Sequence, residues 1–230
     1  MTFYAAPTVT TPYPPAPWQL QGQAIQTLQP IDVAIARPTV PAELDIVQVL
    51  PGKTLAGIYL AHYGAGSDLE YHELIVVSAV VRRSDRIGVW ISHIYVDNPH
   101  SVAGGRMIWG LPKELAEFSW RRGDRGEVAV SQGEKRLCTL AYHWKIPAIW
   151  LPWLPMAGFS TSGSELLWYS VTANTQPYFL PGVEVKVPGE SPLMGLGLHQ
   201  PWLAFAVDPL HLSVREPQVV GSTASRAGRS

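Results

Sequence analysis

The sequence predicts a mainly β fold (α+β) with a few short helices, and three observations support this. Runs of β-branched and aromatic residues recur between turn residues at short intervals, the pattern of an antiparallel sheet. Stretches that could be helical are few and short. With 47% hydrophobic and only 15% charged residues in 230, one large domain can bury most of its apolar surface.

Taken in order, residues 1–16 form a Pro-rich disordered leader, 17–217 a single domain and 218–230 a small, polar disordered tail. Strands are expected at Ala24–Gln29, Val47–Val49, Leu55–Tyr63, Glu70–Arg82 and Ile87–Val96, the last two joined as a hairpin by the polar turn Arg82–Arg86. Further strands follow at Glu127–Gln132 and Lys135–Trp144, joined at Gly133, then at Trp168–Ala173, Gly182–Val187 and Leu203–Leu212. Helices are expected at Pro41–Asp45, at Lys113–Phe118 behind Pro112 and at Glu165–Trp168 behind Ser164. The apolar stretch Ile146–Phe159 is too short to span a bilayer and is interrupted by Pro147, Pro152 and Pro155, so it reads as a packed irregular or edge segment. Its Trp150 and Trp153 are expected in the core or an interface, with contact to a membrane surface or a partner subunit as the alternative. That stretch and the 9 tryptophans predict a homo-oligomer without an integral membrane segment.

Several function classes are disfavoured. A formal net charge of −1 offers no basic field for nucleic acid. The proline-broken start lacks a secretory signal, which predicts a cytoplasmic protein. A lone cysteine, Cys138, rules out a disulfide framework and a cysteine-built zinc site, and reads as a buried strand residue. His62, His72 and Glu73 fall on predicted strands without the helical spacing of common zinc motifs, so no metal and no other cofactor is expected. Gly195-Leu196-Gly197-Leu198 lacks the third glycine of a dinucleotide site, and Ser160, Ser162 and Ser164 sit in no nucleophile elbow.

One segment stands apart: Tyr95-Val96-Asp97-Asn98, then Gly104-Gly105-Arg106-Met107-Ile108-Trp109-Gly110-Leu111-Pro112-Lys113-Glu114-Leu115, with Tyr71-His72-Glu73 about forty residues upstream of the lysine. It resembles the acetoacetate decarboxylase superfamily, and weaker similarity runs from Pro17-Trp18 to about Val214. The resemblance implies a cone-like or barrel-like sheet enclosing an internal cavity. It also implies Lys113 as a Schiff-base lysine, Glu73 as its catalytic partner, and Arg106, Tyr71, Trp109 and Met107 as substrate-binding residues. Three positions depart from the family. Glu114 stands where the decarboxylases carry a second lysine, Gln23 where they carry the arginine that binds the substrate carboxylate, and Ile58 where they carry a second glutamate. Pro17-Trp18-Gln19-Leu20-Gln21-Gly22-Gln23-Ala24 and Glu73-Leu74-Ile75-Val76-Val77 further resemble the plant branch of that superfamily linked to neoxanthin accumulation, which implies an apolar ligand such as a carotenoid or other isoprenoid.

From the residues alone, a lysine amine with an ordinary pKa of about 10.4 attacks a carbonyl only when desolvation or neighbouring positive charge lowers that value. Met107, Ile108, Trp109, Leu111, Leu115 and Phe118 would supply an apolar surround. The bland alternative makes Lys113 a solvated first-turn residue paired with Glu117. If residues 112–114 leave a strand end instead, Lys113 faces inward while Glu114 faces away. Two function classes follow: a Schiff-base lyase acting on a carbonyl compound other than acetoacetate, and a non-catalytic binding or accessory protein for an apolar ligand.

Overall fold

The computed structural model describes residues 12–123, 125–148 and 151–223. Fifteen strands are assigned: β1 (Trp18–Asp32), β2 (Asp45–Ile46), β3 (Lys53–Tyr63), β4 (Tyr71–Arg83), β5 (Arg86–Val96), β6 (Lys113–Leu115), β7 (Glu117–Arg121), β8 (Gly126–Gln132), β9 (Lys135–Tyr142), β10 (Ile146–Pro147), β11 (Leu151–Ser162), β12 (Glu165–Phe179), β13 (Glu184–Lys186), β14 (Leu203–Val214) and β15 (Gln218–Ser222). Helices α1 (Val33–Ala36) and α2 (Pro99–Trp109) complete the regular structure, apart from single 3₁₀ turns.

Eleven strands make one large curled sheet in the order β2-β4-β3-β1-β14-β12-β11-β5-β6, with β10 and β15 added on β12. It curls because β5 pairs antiparallel with β4 on one side and parallel with β11 on the other. Strands β13, β9, β8 and β7 form a second sheet. Aliphatic residues fill the layer shared by the two sheets: Ile58, Leu60, Leu74 and Val76 meet Val128, Val130, Leu137 and Leu140. Cys138 lies in that layer, and burial pushes its thiol up to about 12, so it packs as an inert hydrophobe. On the other face, α2 covers an aromatic cluster containing Trp18, Tyr63, Tyr71, Trp109 and Tyr169.

The hairpins appear where the turns predicted them. β4 and β5 meet through Arg83 opposite Arg86, with Ser84 at φ 54°, and β8 and β9 meet around Gly133 at φ 58°. The helix expectations are corrected. Lys113–Phe118 is split between β6 and β7, because cross-strand partners at Ile94 and Val130 satisfy its backbone better than an isolated turn could. Glu165–Trp168 opens the long strand β12, and Pro41–Leu44 is a turn closed by Leu44 N–H on the Pro41 carbonyl. The strand expected at Val47–Val49 lies two residues earlier, at Asp45–Ile46.

The stretch Ile146–Phe159 is not irregular: β10 and β11 both pair with β12, an arrangement that tolerates prolines where no ladder donor is needed. Trp150 and the Trp153 side chain lie outside the described residues, as do residues 1–11 of the expected leader and 224–230 of the expected tail. Order extends past both expected boundaries. The Trp18 indole donates to the Pro14 carbonyl (2.9 Å), Tyr13 and Ala16 pack against the aromatic cluster, and β15 pairs with residues 165–168. No helix among the described residues is long and apolar enough to cross a membrane.

Candidate functional site

Lys113 enters the site through the register of β6. It lies opposite Ile94 of β5, while Glu114 lies opposite Tyr95, so strand alternation sends the two neighbours to opposite faces. Glu114 accepts a hydrogen bond from Gln132 (2.9 Å), and its charge acts on His93 and Tyr95. Lys113 turns inward. Its Nζ lies 2.8 Å from Glu73 Oε1 and donates to Ser101 Oγ at 2.9 Å, with the two charged side chains 3% and 5% exposed. The ammonium also sits 4.9 Å from the centre of the Tyr71 ring and 5.7 Å from that of Trp18, positions in which the aromatic faces attract a cation.

Helix α2 is the other wall. Asn98 caps it by accepting from the backbone N–H groups of His100 and Ser101, Pro99 occupies its first turn, and Gly110 at φ 61° ends it. Its buried residues are Ser101, Gly104, Gly105 and Trp109, a single stripe at helical spacing. The two glycines each cost about 1 kcal/mol of helix propensity, and the reason for them is close approach. A Cβ on Gly105 would lie 2.5 Å from Lys113 Cδ, and one on Gly104 would lie 2.6 Å from Trp18 Cζ2. The lysine stem therefore lies directly on the helix backbone. From the outer side of α2, Arg106 Nε donates to the Lys113 carbonyl (2.7 Å) and fixes the strand rather than the amine.

Glu73 is held by a second contact. The Tyr63 hydroxyl donates to Glu73 Oε2 (3.2 Å) and lies 3.1 Å from the Tyr59 hydroxyl. Because the Tyr63 proton is committed to the carboxylate, the Tyr59 hydroxyl donates to Tyr63. Burial pushes the phenols of Tyr59, Tyr63, Tyr71 and Tyr169 up, and the negative charge of Glu73 adds to this at each, so all four stay protonated and neutral.

The structure thus brings Lys113, Glu73 and Tyr71 together, with Trp109 packed edge-to-face on Trp18 at 4.8 Å and its indole N–H donated to the Arg215 carbonyl. Met107 does not join them. It is 72% exposed, away from the buried stripe of α2, and Leu115 is exposed as well although alternation puts it on the Lys113 side of β6. Phe118 instead stacks on His72 across the aliphatic layer. The surround expected from residues 107–118 is supplied mainly by Trp18, Trp109 and the tyrosines. Gln23 and Ile58 are also corrected. Gln23 pairs with His62 and Ile58 with Val76, which places both on the face opposite Glu73. Sequence reasoning missed Tyr59, Tyr63, Tyr169 and Ser101. Alternation on β3 (Tyr59, Ala61, Tyr63) opposite Tyr71 and Glu73 was the signal that could have found the first two.

Outside this wall, a cleft of about 440 Å³ is lined by Tyr63, Glu70, Tyr71, His72, Asp97 and His100, among others. Tyr63 and Tyr71 are shared between cleft and lysine site. Burial alone would raise the Asp97 carboxyl, but hydrogen bonds from the His72 ring (2.7 Å) and backbone outweigh it and hold the carboxyl below its usual range. His62 is shifted down, first by burial and then by the charges of Arg122 and His72. Among the described residues no group of three or more His, Cys, Asp or Glu side chains could hold a metal.

Comparison with known proteins adds the following. The sequence profile described as Acetoacetate decarboxylase (ADC) matches residues 1–152. Protein NEOXANTHIN-DEFICIENT 1 of Oryza sativa subsp. japonica is 32% identical over 108 residues, 47% of this chain and 35% of that protein, so the match spans about a third of the relative's length. An acetoacetate decarboxylase from Legionella pneumophila superposes with a TM-score of 0.74 at 14% identity, over 96% of this chain and 93% of that one. The enduracididine biosynthesis enzyme MppR in complex with pyruvate superposes with a TM-score of 0.68 at 15% identity, over 90% and 91% of the two chains. These likenesses in structure establish the fold.

Proposed function

The chain belongs to the acetoacetate decarboxylase family, and from that premise we propose that it is a lyase-type enzyme in which Lys113 forms a Schiff base with a carbonyl substrate other than acetoacetate, inside an apolar cavity. The observation that carries this is the buried Lys113–Glu73 contact at 2.8 Å, with Ser101 on the same nitrogen. Glu73 takes the ammonium proton, and the freed amine attacks the carbonyl carbon. The proton lost from nitrogen goes to the carbonyl oxygen, Glu73 returns its own, and water leaves to give an iminium facing a carboxylate. Tyr63 steadies Glu73 through these transfers. Arg106 positions the strand that carries the lysine, and Tyr71 and Trp109 shape the pocket. No metal or other cofactor takes part. Borohydride added with a panel of ketones and 2-oxo acids should add mass to the wild type and none to Lys113→Ala; an unmodified wild type with every compound contradicts the proposal.

A second reading is favoured by the name of the curated relatives, which ties them to neoxanthin. In it the chain is an accessory protein that holds a carotenoid or another isoprenoid, and the Lys113–Glu73 pair stays charged and unreactive. Protein purified from its own source would then carry the pigment's absorbance, and a clean spectrum counts against it. Both readings are of a cytoplasmic protein that self-associates, for which exposed Trp144, Ile146 and Trp202 supply apolar surface. Light scattering near the 25.2 kDa monomer mass at micromolar concentration would remove that expectation.

A further inference from the structure

Resting on the Schiff-base reading, we infer that the substrate is an uncharged ketone or aldehyde and not an oxo acid. Buried charge sets the substrate class. Lys113 and Glu73 are the only charged side chains buried among the described residues, one of each sign. Converting the ammonium to an iminium leaves one positive and one negative charge, so a neutral carbonyl keeps the site balanced from binding to adduct. A carboxylate would bring in a second anion, and an unpaired buried charge is costly.

No described group is placed to meet that anion. Gln23 is neutral and lies on the other face of β1. Arg106 is exposed and its Nε is committed to the Lys113 carbonyl. Arg215, whose carbonyl takes the Trp109 indole, is exposed as well. The tyrosines around Glu73 are neutral hydrogen-bond donors, suited to a carbonyl or hydroxyl oxygen. The cleft outside Tyr63 and Tyr71 is lined by the carboxylates Glu70 and Asp97 and by His62, His72 and His100, with no lysine or arginine among its lining residues.

The test uses pairs of equal chain length, hexan-2-one against 2-oxohexanoate and butan-2-one against 2-oxobutanoate, each with cyanoborohydride and the wild-type protein. The Lys113 adduct is quantified by mass. The neutral member should give about tenfold or more adduct. Equal or greater adduct from the acids overturns the substrate class and leaves the Schiff-base reading standing. No adduct from either class, in protein shown folded by circular dichroism, overturns the Schiff-base reading and this inference with it.

Discussion

Strands β3 and β4 present two faces of opposite character. Toward the second sheet they offer Ile58, Leu60, Leu74 and Val76, all fully buried and aliphatic. Toward α2 they offer Tyr59, Tyr63 and Glu73, joined by hydrogen bonds, and Tyr71, packed edge-to-face on Tyr63, with Lys113 closing the group. The aliphatic face is held by non-directional burial that tolerates repacking. The other holds a charged pair whose partners are fixed at both ends. Buried ion pairs are weak contributors to stability when compared with apolar replacements. The first face holds the sheets together, whereas the second buries a charged pair that stability alone does not call for.

Substitutions can break that contrast. The largest effect is expected from Lys113→Ala, which leaves Glu73 buried without its counter-charge and costs about 3–5 kcal/mol in thermal or urea unfolding. The double change Lys113→Met with Glu73→Gln should recover most of that loss while remaining unable to form adducts. If the double variant stays as unstable as the single one, the pair is structural and the two faces do not differ in kind.

On the opposite face, Leu74→Ala should cost about 2–5 kcal/mol through cavity formation. Adduct formation per folded molecule, measured well below the melting temperature, should stay at the wild-type level. A parallel loss of reactivity would show that the faces are not independent.

Alternation explains how much of this was legible in the sequence. The strands at 55–63, 70–82 and 87–96 and their hairpin were readable because β-branched residues and turn signals agree there. The pairing of Lys113 with Glu73 followed from family motifs alone, since the two are forty residues apart and meet only through the β4–β5–β6 register. Gln23 and Ile58 were expected in the site, yet each stands one residue away from a position facing it, and in a strand one residue exchanges one face for the other. Helix α2 was not among the expected helices, and its two glycines lower its helix propensity. Their role, contact with Trp18 and with the lysine stem, is a tertiary property. Its ends, Asn98-Pro99 and Gly110, were available as start and stop signals.

A smaller effect is expected from Gly105→Ala. The added methyl meets Lys113 Cδ, so the fold should lose about 1–3 kcal/mol from overpacking while adduct formation falls further than stability explains. Wild-type reactivity in Gly105→Ala would mean that the lysine stem does not need its seat on the helix.

The smallest effect concerns His62, at the polar end of the aliphatic face. Its folded pKa lies below its ordinary value of 6.5, so the unfolded chain binds its proton more readily and stability falls as pH drops below about 6.5. Asp97, also held low, adds its own loss only as pH falls below 3.8. His62→Gln should flatten the slope of melting temperature between pH 6.5 and 5 and leave the lower limb in place. An unchanged slope would assign the acid sensitivity elsewhere.

The most direct measurement is a site-resolved map of adducts after borohydride trapping with an uncharged ketone, reading Lys53, Lys113, Lys135, Lys145 and Lys186 separately by peptide mass. Accessibility alone favours exposed lysines such as Lys53 and Lys186, whose side chains are 42% and 78% exposed. The account predicts the reverse order: modification on Lys113, with the exposed lysines near background. Labelling that follows exposure and leaves Lys113 unmodified would contradict it.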